Sequence, residues 1–253
     1  MSESVRSFER GLRVIRSFTA AAPEQSLSEV ARATDLTRAT ARRFLLTLEE
    51  LGYVRRVGDR FALAPRVLEL GYAYLSSSAV PDLALPYLEA LSERVHEASS
   101  LGVLDGTEVV YVARVPAKRV MTVSIGLGTR FAAYRTSLGR ALLAALPDDE
   151  IASIWDRSDR SEPTARTVED LPALLQAVGA VRRQGYAVVD QELEIGVRSI
   201  AAPVHDAAGR PVAAINVSTH VSRTSKQDLL QRFVPVLRET VAEVERVLQA
   251  RPR

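Results

Sequence analysis

Four residues near position 40 are spaced to touch a polyanion. Arg38, Thr40, Arg42 and Arg43 lie in TRATARRFLLTLEELG (37–52), and no acidic residue occurs between Leu36 and Leu48. At about 100° per residue, Ala41, Leu45, Leu48 and Leu51 form an apolar face, with Phe44 beside it. Ala39 and Arg43 point away from that face, with Arg42 and Thr47 flanking. Arginine reads guanine through two hydrogen bonds, and threonine can touch a base or a phosphate. A second basic set follows in Tyr53-Val54-Arg55-Arg56-Val57 and Arg60-Phe61-Ala62-Leu63, separated by Gly58-Asp59. That pattern is a hairpin. Arg55, Arg56 and Arg60 on it would contact phosphates or the minor groove. The alternative is a small helical bundle whose arginines are merely solvated.

A different chemistry is suggested further along. Tyr134-Arg135-Thr136-Ser137-Leu138-Gly139-Arg140 opens a helix just after a strand. Free N–H groups at a helix start attract an anion, and arginine adds charge. Phe131 and Leu138 could wall the apolar part of a small carboxylate with an apolar or aromatic body. An ordinary capped helix is the equal alternative. Asp190, Glu192 and Glu194 alternate, which would place them on one face of a strand as metal ligands or an acid–base pair. A solvated edge reads the same way. His96, His205 and His220 are widely spaced and fit no metal pattern.

Other chemistries are excluded. The chain has no cysteine, which removes disulfides, cysteine–zinc fingers, iron–sulfur clusters and a cysteine nucleophile, and fits the cytoplasm. It has no G-x-S-x-G elbow and no P-loop, and Ile125-Gly126-Leu127-Gly128 lacks the third glycine of a dinucleotide fingerprint. No apolar run reaches the ~18 residues of a membrane helix, and MSESVRSFER lacks the apolar core of a signal peptide.

The elements that must position these residues follow from periodicity. Residues 7–20 read as a helix with Phe8, Leu12, Ile15 and Phe18 inward. Ser26 or Ser28 caps a second helix with Leu27, Val30 and Ala31 inward, and Thr37 caps the third. A short helix, a tight turn and a basic helix make a helix-turn-helix, and the hairpin makes a wing. Residues 65–78 read as a connecting helix whose apolar stripe packs on a partner subunit or on its own body. Beyond it, hairpins flank Asp105-Gly106 and Asp206…Gly209-Arg210, with a strand at Val120–Ile125. Helices are expected after Thr136 or Ser137, over 148–157 and 169–184, and from Ser225 to Leu248. Hairpins mean antiparallel pairing, so the fold is α+β with helices beside an antiparallel sheet.

Charge follows the same division. The 253-residue chain carries a net +2, and 31 of its 33 basic residues are arginine. Residues 1–66 hold 12 Arg and 8 Asp/Glu, a net +4, while the rest is −2. A nucleic-acid-facing end and a body with another task are implied.

Three segments resemble one family, the IclR family of bacterial transcriptional regulators. They are LSEVARATDLTRATARRFLLTLEELGYV (27–54), GTRFAAYRTSLGRALLAALP (128–147) and GYAVVDQELEIGVRSIAAPVHDAAGRPVAAINVST (185–219). The second is similar to the branch controlling β-ketoadipate pathway genes for aromatic-acid breakdown. The resemblance implies a winged helix-turn-helix DNA-binding domain (1–66) and a linker helix (67–80). It implies a GAF-like effector-binding and oligomerisation domain over 81–253. It places effector contacts on Val120, Phe131, Ser137, Leu138, Val189, Ser199, Asn216 and Ser218, with Asp190 adjacent to a matched position. Val189 stands where some relatives have an acidic residue, and Asn216 where some have serine. The implied partners are a double-stranded DNA operator, a small organic acid such as an aromatic acid or pathway intermediate, and further copies of the chain as a homodimer or homotetramer. No cofactor, metal or catalytic residue is expected. The competing reading is an enzyme acting on a small carboxylic acid with an appended DNA-targeting module.

Overall fold

The computed structural model describes residues 5–77, 79–117, 125–161 and 163–250. They form two compact units, Met1–Ser77 and Ser78–Arg253.

In the smaller unit, α1 (Arg6–Ser17), α2 (Leu27–Ala33) and α3 (Arg38–Glu50) surround a core of Val14, Phe18, Val30, Ala31, Ala41, Leu45 and Leu48. Ser26 caps α2 in a reciprocal box with Glu29. Thr37 caps α3 by accepting from the Thr40 amide at 3.2 Å. Asp35, at φ 52°, makes the turn between these two helices. The hairpin β2 (Val54–Val57) and β3 (Arg60–Leu63) is the wing. A short strand β1 (Glu24–Ser26), which the sequence reading lacks, pairs with the other side of β3. Three residues are too few to show alternation.

One inward face differs from expectation. Phe8 and Leu12 are exposed, and Val14 is fully buried. The stripe that packs is Gly11, Val14, Ile15 and Phe18, with Gly11 against Phe44 of α3. Past the wing, a 3₁₀ turn (Pro65–Val67) leads into α4 (Leu68–Ser77). Leu68, Leu70, Tyr72 and Tyr74 of α4 are exposed.

The larger unit begins with α5 (Ala79–Val95). Pro81 lies in its first turn, where a missing N–H costs nothing. The strands are β4 (Ala98–Asp105), β5 (Glu108–Val115), β6 (Arg130–Ala132), β7 (Ala187–Asp190), β8 (Val197–His205) and β9 (Pro211–His220). They form one antiparallel sheet in the order β6-β5-β4-β9-β8-β7, which agrees with the α+β reading. Between them come α6 (Ser137–Leu143), α7 (Asp148–Arg157) and α8 (Leu171–Gln184). The chain closes with a short turn α9 (Lys226–Asp228), a π-helical turn (Leu229–Phe233) and α10 (Val234–Ala250). The expected strand up to Ser124, with Val120 in it, lies outside the described residues.

Both faces of this sheet are covered. One packs Leu101, Ile200, Ala213, Ile215 and Val217 against Leu88 and Leu91 of α5 and Leu237 and Val244 of α10. The other packs Val109, Tyr111, Ala201 and Ala214 against Leu138, Ala141 and Leu142 of α6. The α6 contact depends on two glycines. A Cβ at Gly102 would lie 3.0 Å from Leu138 Cδ1, and one at Gly139 would lie 2.1 Å from the Ala133 carbonyl oxygen. Outside α6, Ile151, Ile154 and Trp155 of α7 meet Leu174 and Val178 of α8.

Candidate functional site

The basic surface of the smaller unit is sorted by its internal pairs. Arg38, Arg42, Arg43 and Arg55 are exposed and make no hydrogen bond or ion pair among the described residues. Their guanidinium forks are available to an external anion. Thr40 is half-buried, and its hydroxyl lies 2.9 Å from that of Thr37.

The other two wing arginines are engaged. Arg56 donates to Glu49 at 2.9 and 3.1 Å and stacks over Phe61. Arg60 donates to Glu29 at 2.7 Å and to the Glu24 carbonyl at 2.9 Å. The Ser26 amide, and with it Arg60, holds the Glu29 carboxyl below its usual range. Arg60 therefore braces β1, α2 and β3 together. Its reach across 31 positions to Glu29 is a tertiary fact that local pattern does not show.

In the larger unit, the register lays a polar row on the sheet face under α6. Directly opposed residues share a face. Ser218 opposes Ser199, which opposes Val189. Asn216 opposes Ala201 on one side and Ser100 on the other, and Ser100 opposes Arg114. Phe131 opposes Val109 on the same side and meets the Tyr111 ring edge-on at 5.8 Å. Ser137 sits one turn before Ala141, which packs on this face, so it shares that direction. Phe131, Ser137, Leu138, Val189, Ser199, Asn216 and Ser218 are thus brought to one layer.

That layer contains unpaired polar groups. Ser137 and Asn216 are 1% and 2% exposed, yet the Ser137 hydroxyl and the Asn216 side-chain carbonyl have no partner among the described residues. The Asn216 amide nitrogen donates to Ser218 Oγ at 3.1 Å. Whichever way the amide is turned, one polar atom is bonded and the other is not. Orphaned groups of this kind cost about 1–3 kcal/mol each unless something pairs with them.

Asp190 does not join them. It opposes Arg198 on the other side of the sheet, because neighbouring strand residues face opposite ways. Arg198 donates to both its oxygens, at 2.9 and 3.0 Å. Burial works to raise the Asp190 carboxyl, but Arg198 outweighs it and holds the group below the usual carboxylate value.

Glu192 and Glu194 do not continue a strand face either. β7 ends at Asp190, and Gln191 turns the chain at φ 65°. Glu192 is buried and takes a two-pronged contact from Arg140 at 2.7 and 2.5 Å. The paired carboxylates that an acid–base enzyme needs are therefore not assembled by this run. Arg140, one of the two arginines in the segment that opens α6, is itself neutralised by that pair. Among the described residues, no group of three acidic or histidine side chains converges as a metal site.

Arg114, Tyr111 and Ser100 join the layer without having been singled out from the sequence. Burial lowers the Arg114 pKa, with Tyr111 opposing that shift, and burial pushes Tyr111 up to about 12. Arg114 and Tyr111 are three apart, so strict alternation would separate them. A bulge at Leu101/Gly102 against β5 puts them on one face.

Comparison with known proteins agrees with both halves. The IclR helix-turn-helix domain matches residues 7–58. The C-terminal domain of the bacterial transcriptional regulator IclR matches residues 72–246. The Pca regulon regulatory protein of Pseudomonas putida is 43% identical over 91% of this chain and 80% of its own. A crystal structure of a protein described as a transcriptional regulator, from Rhodococcus sp. RHA1, is 54% identical with a TM-score of 0.85, covering 97% of this chain and 98% of that one. The inducer-binding domain of the PobR transcription factor from Acinetobacter, solved as a double mutant with 3-hydroxybenzoic acid, is 32% identical with a TM-score of 0.61. It covers 65% of this chain and 97% of that domain. With a reading helix and wing in one unit, a polar layer under α6 in the other, and family models matching both, this chain belongs to the IclR family of bacterial transcriptional regulators.

Proposed function

We propose that the protein controls genes of aromatic-compound breakdown, in the manner of the β-ketoadipate pathway regulators. The smaller unit reads an operator, and the larger unit senses a small organic acid. Arg38, Thr40, Arg42 and Arg43 read or position DNA from α3, and Arg55 contacts the backbone from the wing. Arg56 and Arg60 serve chiefly as braces. Phe131, Ser137, Leu138, Val189, Ser199, Asn216 and Ser218 contact the effector. The observation that carries the sensing role is the pair of buried, unpaired groups on Ser137 and Asn216. A stable apolar core has no use for them, whereas a ligand's oxygens pair with them. The relatives named for the Pca regulon and for PobR support an aromatic acid or a pathway intermediate as that ligand.

Effector binding favours one arrangement of paired reading heads over another, a shift between pre-existing states. The exposed apolar residues of α1 and α4, Phe8, Leu68 and Tyr72 among them, support a homodimer or higher homo-oligomer. No step in this reading is catalytic. No helix among the described residues is long and apolar enough to cross a membrane, and the reading needs none for a protein acting on DNA in the cytoplasm.

The test is a titration of DNA from upstream of the chain's own gene and of the genes beside it, with and without 4-hydroxybenzoate, protocatechuate or β-ketoadipate. One acid is expected to change operator affinity. Arg43→Ala is expected to weaken specific binding by about 1–3 kcal/mol, as for a base contact. Operator affinity indifferent to every acid would overturn the sensing role, and an unchanged Arg43→Ala affinity would overturn the assignment of that residue.

A further inference from the structure

The sensing layer contains one charge that its own neighbours do not balance. The bulge opposite Leu101 and Gly102 turns Val112 and Ala113 together into the core under α5 and α10. It thereby turns Tyr111 and Arg114 together toward α6. Arg114 is half-buried, and its one hydrogen bond among the described residues is from Nη1 to Ser100 Oγ at 3.2 Å. It has no carboxylate partner among the described residues. The buried arginines nearby are treated differently: Arg140 and Arg198 each hold an acid with two nitrogens. A guanidinium withdrawn from water with most of its donors unused is costly unless an anion arrives.

The surroundings specify that anion. Ser100 directly opposes both Arg114 and Asn216, so the Arg114 fork and the unpaired amide atom of Asn216 lie on the same sheet face on either side of Ser100. The apolar side chains of the same layer are Tyr111, Phe131, Leu138, Val189, Ala201 and Ala214. The Tyr111 hydroxyl has no hydrogen-bond partner among the described residues. Burial keeps it protonated, as a donor.

We propose that Arg114 is the carboxylate receptor of the sensing site. It clasps the acid group of a small organic carboxylate, whose apolar body lies under α6 and whose far oxygen pairs with Ser137 and Asn216. This rests on the reading that the larger unit senses an acid. It adds the residue that makes that unit prefer acids over neutral molecules of the same shape.

The experiment is calorimetric binding to the full chain, using whichever of 4-hydroxybenzoate, protocatechuate and β-ketoadipate binds, and the primary amide of that acid. Arg114→Met is expected to bind the acid about 30-fold or more weaker, the range for removing one partner of a buried charge pair. Arg114→Lys recovers part of the loss. The amide is expected to bind wild type and Arg114→Met alike. Arg114→Met is also expected to melt no lower than wild type without ligand, since it removes an unpaired half-buried cation. This shows that the lost affinity is not lost folding. If wild type binds an acid and Arg114→Met binds it equally well, the Arg114 assignment falls and the sensing role stands. If wild type binds none of the three acids, the sensing role falls with it.

Discussion

Replacing Glu192 with glutamine is expected to destabilise the larger unit by about 3 kcal/mol. The side chains of Arg140 and Glu192 are 4% and 11% exposed. Exposed ion pairs contribute under about 1 kcal/mol, but removing one partner of a buried pair strands the other charge and costs about 3–5 kcal/mol. Glutamine keeps the volume and one acceptor, which places it at the low end. Arg140 also donates from Nε to the Tyr134 carbonyl at 2.8 Å, and Glu192 accepts from the Val168 amide at 3.3 Å. The pair thus ties α6 to the segment before α8 and to the loop after β7. Trp155 is the chain's one tryptophan and packs edge-on to Tyr134 at 5.0 Å. Its fluorescence therefore follows unfolding of this unit rather than of the DNA-reading unit. At a urea slope of about 2 kcal/mol per molar, a 3 kcal/mol loss lowers the midpoint by about 1.5 M. The double change Arg140→Met with Glu192→Leu is expected to be milder than Arg140→Met alone, because no charge is left buried. The resulting coupling energy is about 2 kcal/mol or more. A midpoint lowered by less than about 0.5 M in Glu192→Gln would place the pair in the surface class and refute this reasoning.

Gly139→Ala forces a methyl group to 2.1 Å from the Ala133 carbonyl. Overpacking of that kind costs about 1–3 kcal/mol or more, and it should appear as a lower melting temperature and weaker acid binding. The Asp190 carboxyl is held below its ordinary 3.8 by Arg198. Its contribution is full above that ordinary value and is lost as pH falls through the lower folded value. Asp190→Asn should therefore destabilise at neutral pH and show a shallower loss of stability below about pH 4; parallel acid limbs would contradict this. On the wing, Arg55→Ala is expected to reduce the slope of log affinity against log salt by about 1 without changing stability. Arg60→Ala should leave that slope in place and loosen the smaller unit by up to about 1 kcal/mol, since its pair with Glu29 is partly exposed. Equal salt slopes for Arg55→Ala and wild type would remove Arg55 from the DNA surface.

The helix-turn-helix and the wing were legible in the sequence because their signals are local. Thr37 and Ser26 cap helices within three residues of themselves, and the wing turns at Gly58-Asp59 between strands that pair directly. The antiparallel pairing within the two main hairpins of the larger sheet was legible for the same reason, since each closes over a short turn, whereas the β4–β9 pairing that joins them was not. The positions taken from the family resemblance converge on one sheet face because opposed residues two apart along a strand share a direction, as Asn216 and Ser218 do. Asp190 fails for the same reason, being one residue out of step with Val189.

What tertiary structure alone decided is which charges are free. Arginine looks the same along the chain whether its donors are left free among the described residues, as those of Arg43 are, or brace a strand, as those of Arg60 do through a glutamate 31 positions away. Arg140, one of two arginines in the segment that opens α6, is engaged by a carboxylate 52 positions away. Arg114 carried no pattern in the sequence. It enters the sensing layer because one bulge breaks the alternation of β5, and strand pairing rather than composition places that bulge. Local order is written in neighbouring residues, whereas the balance of buried charge depends on partners that only the folded chain brings together.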